Sequence, residues 1–403
     1  MPSLRSTRVV LDGETRPATV HFDGGCIVAL DDATADWDYG DHVVLPGLVD
    51  SHVHVNEPGR TDWEGFATAT RAALAGGTTT IVDMPLNSVP PTTTVHGLEE
   101  KRRAGDGKLS CDVAFWGGIV PGSMTEVPGL VAAGVCGFKV FLTDSGVPEF
   151  PPVDVGDLMG ADIRVPLLFH AEADEHLGTP GPSYAEYLAS RPPVAEVAAI
   201  ESLVELDSPM HVLHVSSADA VAAIAAQPGI SAETCPHYLT FTDEDVTGTS
   251  FKCAPPIRGM DHREALWEGL REGTLTLVVS DHSPSPPNLK DGDFATAWGG
   301  ISSLQVRLPA TWTGASTRGF GLGDLAGWLA LAPARLAGLA DRKGSIEIGK
   351  DADFVVFDPD GETVVRGAEL LHRHPITAYE GMRLRGSVVD TLMGAPGRML
   401  TRT

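Results

Sequence analysis

The stretch Val43-Val44-Leu45-Pro46-Gly47-Leu48-Val49-Asp50-Ser51-His52-Val53-His54 decides the fold. An apolar, β-branched run, Val43–Leu48, leads straight into two histidines two residues apart. On an extended strand residues i and i+2 share a face. Both imidazoles therefore point to one place at the end of a buried strand, where an unpartnered polar pair would be costly.

The same pattern recurs along the chain. Thr78–Val82 ends at Asp83, and Val113–Phe115 runs into Trp116-Gly117-Gly118. Gly137–Leu142 contains Lys139, Val165–Phe169 ends at His170, and Met210–Leu213 ends at His214. Ile230–Glu233 runs into Thr234-Cys235-Pro236-His237, and Thr274–Val279 ends at Ser280-Asp281-His282. Between these strand candidates lie helical stretches such as Trp63–Ala75, Tyr184–Leu206 and Asp219–Ala226. Strands alternating with helices read as βα units on a parallel sheet. Eight such units over residues 47–343 predict an α/β fold, a (β/α)8 TIM barrel.

The ends break the rhythm. Residues 1–46 and 344–403 hold short strands and turns, such as Arg8-Val9-Val10-Leu11-Asp12-Gly13 and Asp353-Phe354-Val355-Val356-Phe357-Asp358. Neither is large enough to bury a good core alone. They are expected to pair in one composite small β-sandwich domain beside the barrel.

Composition bounds the function. Of the 403 residues, 42% are apolar and 21% charged, which suits a large core and excludes disorder. The formal net charge of -25 repels phosphate, so neither nucleic acid nor an anionic membrane is an expected partner. Met1–Val20 shows no signal-peptide pattern, and no apolar run is long enough to span a bilayer. Five scattered cysteines suit a reducing cytoplasm better than a disulfide framework.

The chemistry is carried by the residues at strand ends. In a TIM barrel that face is where active sites are built. His52, His54, His170, His214 and Asp281 converge there, a donor set for divalent transition metals. Each alone reads equally well as a satisfied core or capping residue; together they do not. Lys139 sits inside an apolar strand, where a cation is expensive. Desolvation lowers its pKa, and the neutral amine can take up carbon dioxide. The resulting carbamate, N6-carboxylysine, is anionic and has two oxygens to bridge two cations. Two metals about 3.5–4 Å apart would share a bridging hydroxide at neutral pH. Asp281 would then bind one metal and also pass a proton to the leaving nitrogen as catalytic acid/base. Zinc is the first expectation for the metal, with cobalt, iron or manganese accepted by the same ligands.

These motifs resemble the cyclic amidohydrolases: dihydroorotases, dihydropyrimidinases or hydantoinases, and allantoinases. The resemblance covers nearly the whole chain and is closest to the allantoinases. It runs through residues 45–61, Asp83-Met84-Pro85-Leu86-Asn87-Ser88, Gly137–Leu142 and 145–151. It continues through 233–239, 252–258, 280–284 and Trp298-Gly299-Gly300-Ile301. It implies the composite β domain, carboxylated Lys139, the six ligands and Asp281 as acid/base. It further implies a cytoplasmic homotetramer that opens a small cyclic ureide, allantoin to allantoate, in purine catabolism and nitrogen salvage.

Dihydroorotases usually carry arginine two residues after the second histidine, to hold a carboxylate. Here Asn56 stands there, which suits a neutral ureido arm. Cys253 and Ala254 carry over as backbone contacts to the ring. The hydantoinase asparagine before Gly-Gly is replaced by Trp298. The stretch Glu175–Ala199 is shorter and more apolar than an allantoinase's, and Ser123 stands where asparagine is expected. His237 and His282 read as supports behind the ligands, and His21, His96 and His372 as surface residues. Two alternatives stay open: a hydantoinase or dihydropyrimidinase acting on related rings, and a non-catalytic scaffold of the same fold.

Overall fold

The computed structural model describes residues 1–402. Both ends of the chain meet in one seven-stranded sheet. Its N-terminal part comprises β1 (Ser3–Leu11), β2 (Glu14–Asp23), β3 (Cys26–Asp31), β4 (Trp37–Asp38) and β5 (Val43–Pro46). Nine strands then form two parallel sheets. The first holds β6 (Leu48–Val53), β7 (Thr78–Asp83) and β8 (Asp112–Phe115). The second holds, in spatial order, β9 (Gly117–Gly118), β10 (Phe138–Phe141), β11 (Leu167–His170), β12 (Met210–Val212), β13 (Ile230–Thr234) and β14 (Leu277–Val278). The chain returns to the seven-stranded sheet as β15 (Asp353–Val364) and β16 (Arg383–Met393). β15 lies antiparallel to both β5 and β16.

The two parallel sheets meet at both seams. At one, His54 N–H donates to the His282 carbonyl at 2.8 Å, and Val53 bridges His282 in parallel register. At the other, Cys136 N–H donates to the Phe115 carbonyl at 2.9 Å. One hydrophobic cluster runs from Leu48, Val53 and Ile81 through Phe138, Phe169 and Val212 to Val278. These strands are buried along their length, as parallel strands covered on both faces must be.

Three expectations change in detail. The run Val43–Leu48 is two strands, not one. Val43–Pro46 belongs to the seven-stranded sheet, and Leu48 opens the parallel one. Gly47 is the crossing point. Its N–H donates to the Asp353 carbonyl at 2.8 Å, and a Cβ there would collide with Thr79 and Asp353. The helix expected from Trp63 starts at Phe66, after Gly65 at φ 120. The stretch Tyr184–Leu206 breaks at Pro192-Pro193 into helices Tyr184–Ser190 and Pro193–Ser202, because proline lacks the N–H and restricts the residue before it.

The last described residues leave the seven-stranded sheet. Val113 N–H donates to the Arg398 carbonyl at 2.9 Å, and Leu400 N–H donates to the Val113 carbonyl at 2.8 Å. Beneath this crossing, Lys343 Nζ lies 2.7 Å from Asp112, 3.0 Å from Asp351 and against Asp353. Among the described residues no helix is long and apolar enough to cross a membrane.

Candidate metal centre and its cleft

The five residues singled out at strand ends and Lys139, within its strand, reach one point. His52 is the last but one residue of β6, Lys139 sits in β10, and His170 ends β11. His54, His214 and Asp281 lie just beyond β6, β12 and β14. His52 Nε2 is 3.2 Å from Lys139 Nζ and 3.1 Å from Asp281 Oδ1. His54 Nε2 is 3.6 Å from the same Asp281 oxygen. His170 Nδ1 is 3.0 Å from His214 Nε2, and the rings of His52 and His214 are 5.5 Å apart.

Burial sets the charge states. Desolvation, then the Lys139 charge, drives His52 and His54 well below the usual imidazole range. His214 is driven there by desolvation and then His170. Desolvation lowers the Lys139 ammonium, opposed by Asp281 and Glu233, and raises the Asp281 carboxyl, opposed by Lys139. Neutral imidazoles with converging lone pairs are a cation's ligand set. His214 Nδ1 is also buried without a hydrogen-bond partner among the described residues. His52, His54 and Asp281 form one group with donor atoms within 4.8 Å of one another, which could hold a metal ion. Cys235, His237 and Asp281 form another.

The backbone is strained where the ligands sit. Asn56, Asn87, His214 and Asp281 adopt φ values of 66, 66, 37 and 43. Non-glycine residues there cost free energy, and such positions cluster at functional sites. The His54–His282 backbone bond helps hold this geometry, and Ser280 N–H donates to Asp50 at 3.2 Å.

A layer of carboxylates behind the histidines was not singled out in the sequence. Glu233 Oε1 is 2.6 Å from His52 Nδ1, and its other oxygen is 3.1 Å from His211 Nε2. Glu172 Oε2 is 2.8 Å from His170 Nε2, and Arg191 clamps Glu172 through Nε at 3.0 Å and Nη2 at 2.5 Å. A carboxylate on one ring nitrogen fixes the tautomer and aims the other lone pair inward. A glutamate inside the buried strand Ile230–Thr234, and one two residues after His170, were the available signals.

His237 is fully buried, and both of its ring nitrogens lack partners among the described residues. The His282 ring accepts from Ser303 N–H at 3.2 Å and lies 3.4 Å from Glu64, while its carbonyl accepts from His54 N–H. His372 corrects the surface reading. It is 5% exposed, and its ring lies 5.5 Å from that of His282. The segment Leu371–His374 packs behind the site, where Arg373 N–H donates to Glu64.

The centre opens into a narrow cleft. Cys253 and Ala254 line it, with Leu86, Asn87, Phe141, Ser145, Ser283 and Trp298–Gly300. The Cys253 carbonyl accepts from Tyr187 Oη at 2.7 Å. Asn56 is not among the lining residues; its amide donates to the Pro284 carbonyl at 3.3 Å. Asn87 occupies the wall instead, with Nδ2 at 3.5 Å from His54 Nδ1 and Oδ1 unpartnered among the described residues. Sequence spacing from His54 favoured Asn56, whereas the loop after β7 delivers Asn87.

Comparison with known proteins identifies the family of the chain. Residues 43–139 and 195–394 match the model of the amidohydrolase family. An allantoinase of Streptomyces avermitilis is 50% identical, over 96% of this chain and 93% of its own. An allantoinase of Saccharomyces cerevisiae is 40% identical, over 97% of this chain and 94% of its own. Among solved structures, the L-hydantoinase (dihydropyrimidinase) of Arthrobacter aurescens superposes with a TM-score of 0.91 at 29% identity, covering 100% and 98% of the two chains. The chain belongs to the amidohydrolase family.

Proposed function

We propose that the protein is an allantoinase, which hydrolyses one amide bond of the hydantoin ring of allantoin to give allantoate. The observation that carries this is the convergence of four histidines, Lys139 and Asp281 at one end of the parallel strands, in a chain 50% identical to an allantoinase. The strand order, with hydrogen bonds across both seams, supports a closed (β/α)8 barrel over residues 47–343. Residues 1–46 plus 344–403 are read as its composite β domain. The homotetramer and cytoplasmic location implied by the resemblance belong to the same proposal, and sedimentation of the purified protein tests the first.

The donor set fits two divalent ions. His52, His54, Lys139, His170, His214 and Asp281 would hold them, with zinc the first candidate. Such ions acidify water and polarise a carbonyl. Lys139 joins this set only as a carbamate, because an ammonium offers no lone pair, and its burial and lowered pKa favour the amine that reacts with carbon dioxide.

The chain's own groups do the rest. Asp281 takes a proton from the attacking water and gives it to the ring nitrogen as the C–N bond breaks. Glu233 and Glu172 hold His52 and His170 in the required tautomers. The cleft walls orient the ring and exclude water. The test is turnover of allantoin, hydantoin, dihydrouracil and dihydroorotate by one preparation of known metal content. Opening of hydantoin with allantoin left intact sinks the reading.

A further inference from the structure

Beside the proposed centre, a second group of donor atoms converges on Asp281. Cys235, His237 and Asp281 each bring one ligand atom within 4.8 Å of the other two, and all three side chains are buried. The local sequence explains the meeting. β13 ends at Thr234 and β14 at Val278, and the two strands run side by side with Thr234 opposite Val278. Val279 N–H donates to the Thr234 carbonyl at 3.0 Å. The segments leaving the two strands, which carry Cys235 and Asp281, are therefore neighbours. A single helical turn, Pro236–Thr240, then brings His237 round to the same point.

His237 has no other polar contact. Its ring is fully buried and stands edge-on to Tyr238 at 4.3 Å. Neither of its nitrogens has a hydrogen-bond partner among the described residues. A buried imidazole left in this way is uncommon, and a bound ion is one of the few reasons for it. The carboxylates of Asp112, Asp351 and Asp353 make a contrast. They also gather within 4.8 Å, but there the Lys343 ammonium supplies the cation.

Sulfur, imidazole nitrogen and carboxylate oxygen are zinc-type donors, and three of them with one water complete a tetrahedral site. A thiolate selects zinc or cadmium over magnesium or calcium. We propose that Cys235, His237 and Asp281 form an inhibitory site for one further zinc-class ion, separate from the two ions of the centre. Depth does not bar entry: His52 and Lys139 are as deeply buried, and Asp281 lines the cleft, so the ion enters past its carboxylate. The Cys235 thiol gives its proton to the buffer as the sulfur–metal bond forms, and nothing is oxidised or reduced. The inhibition rests on the functional reading above, in which Asp281 carries the proton. A carboxylate held between ions on both sides no longer takes a proton from the attacking water. Excess metal therefore stops turnover without displacing the resident ions.

The test titrates cadmium chloride into zinc-loaded holoenzyme. One further cadmium ion per chain is expected to bind while the zinc content stays constant. The ultraviolet charge-transfer absorbance of a cadmium–thiolate bond should rise, and allantoin turnover should fall, in step with that binding. In Cys235→Ser the absorbance should be lost. Half-inhibition should then need at least about tenfold more cadmium, the loss that even a partner behind a ligand brings. His237→Gln should raise that concentration too, while keeping the absorbance. Should both variants fail to fold, the wild type still decides. Zinc falling as cadmium binds, cadmium bound without thiolate absorbance, or turnover unchanged at full occupancy overturns the proposal. So does an absorbance that survives in Cys235→Ser, which would place the cadmium on another of the five free cysteines. Failure to open allantoin before cadmium is added overturns the functional reading instead, and the cadmium count and absorbance then still test the site.

Discussion

Glu233 Oε1 lies 2.6 Å from His52 Nδ1, and the same carboxylate reaches His211 Nε2 at 3.1 Å. All three side chains are completely buried. The carboxylate thus locks His52 with its proton on Nδ1 and its lone pair on Nε2, facing Lys139 and Asp281. Glu233→Gln keeps the shape but weakens this hold. Metal affinity is expected to fall about 10–100-fold, the usual effect of removing a partner behind a ligand. Titration with a competing chelator reads this directly; an affinity equal to wild type would show that His52 needs no such lock.

Lys139 is the member of the set whose role depends on carboxylation. Lys139→Ala should lose most bound metal and most activity, and added short carboxylic acids should restore part of both. Elemental analysis and turnover on the same sample check this. Full activity in the variant would refute the bridging carbamate.

The ion cluster around Lys343 is a matter of stability rather than chemistry. Lys343 faces Asp112, Asp351 and Asp353, and Arg398 shares Asp112 and Asp351. Removing one partner of a buried pair leaves uncompensated charge, at a cost of roughly 3–5 kcal/mol. Lys343→Met is expected to lower the urea midpoint by a corresponding amount, while metal content in the folded fraction stays as in wild type. A midpoint within experimental error of wild type contradicts this.

Alkaline stability follows from the buried thiols. Burial raises Cys136 from the ordinary 9.0 to about 12, only partly opposed by Arg402. The folded thiol then stays protonated where the unfolded one ionises. Stability is present below pH 9 and is lost as pH rises from 9 toward 12. At pH 10 the loss from this one group is about 1.4 kcal/mol. The drop in unfolding free energy between pH 8 and pH 10 should be smaller by that amount in Cys136→Ala than in wild type. Equal drops would mean that the thiol is solvated in the folded protein.

The six residues of the centre were legible because each breaks an apolar strand, five of them at or just past its end and Lys139 within it. The βα rhythm was legible for the same reason. What lay behind the centre was not. Glu233 meets His52 across 181 positions, and Glu172 meets Arg191 across the helix Tyr184–Ser190. Pairings of that kind depend on which strands become neighbours. His372 illustrates the same limit: what buries it is a contact with residues distant in sequence, where its ring meets that of His282 and the neighbouring Arg373 N–H donates to Glu64. Asn56 and Asn87 share a left-handed conformation, yet only the second reaches the cleft wall.

The pairing of β5 with β15 sets an order of events during synthesis. β5 is made more than 300 residues before its antiparallel partner emerges. Until then its edge is unpaired, a template for misassociation. The last metal-site residue, Asp281, is already made while that edge still waits. The centre can therefore assemble on the ribosome before the sheet at the chain ends closes. A nascent chain halted between residues 281 and 353 carries every proposed ligand and still exposes a sticky strand, so chaperone demand should peak in that window.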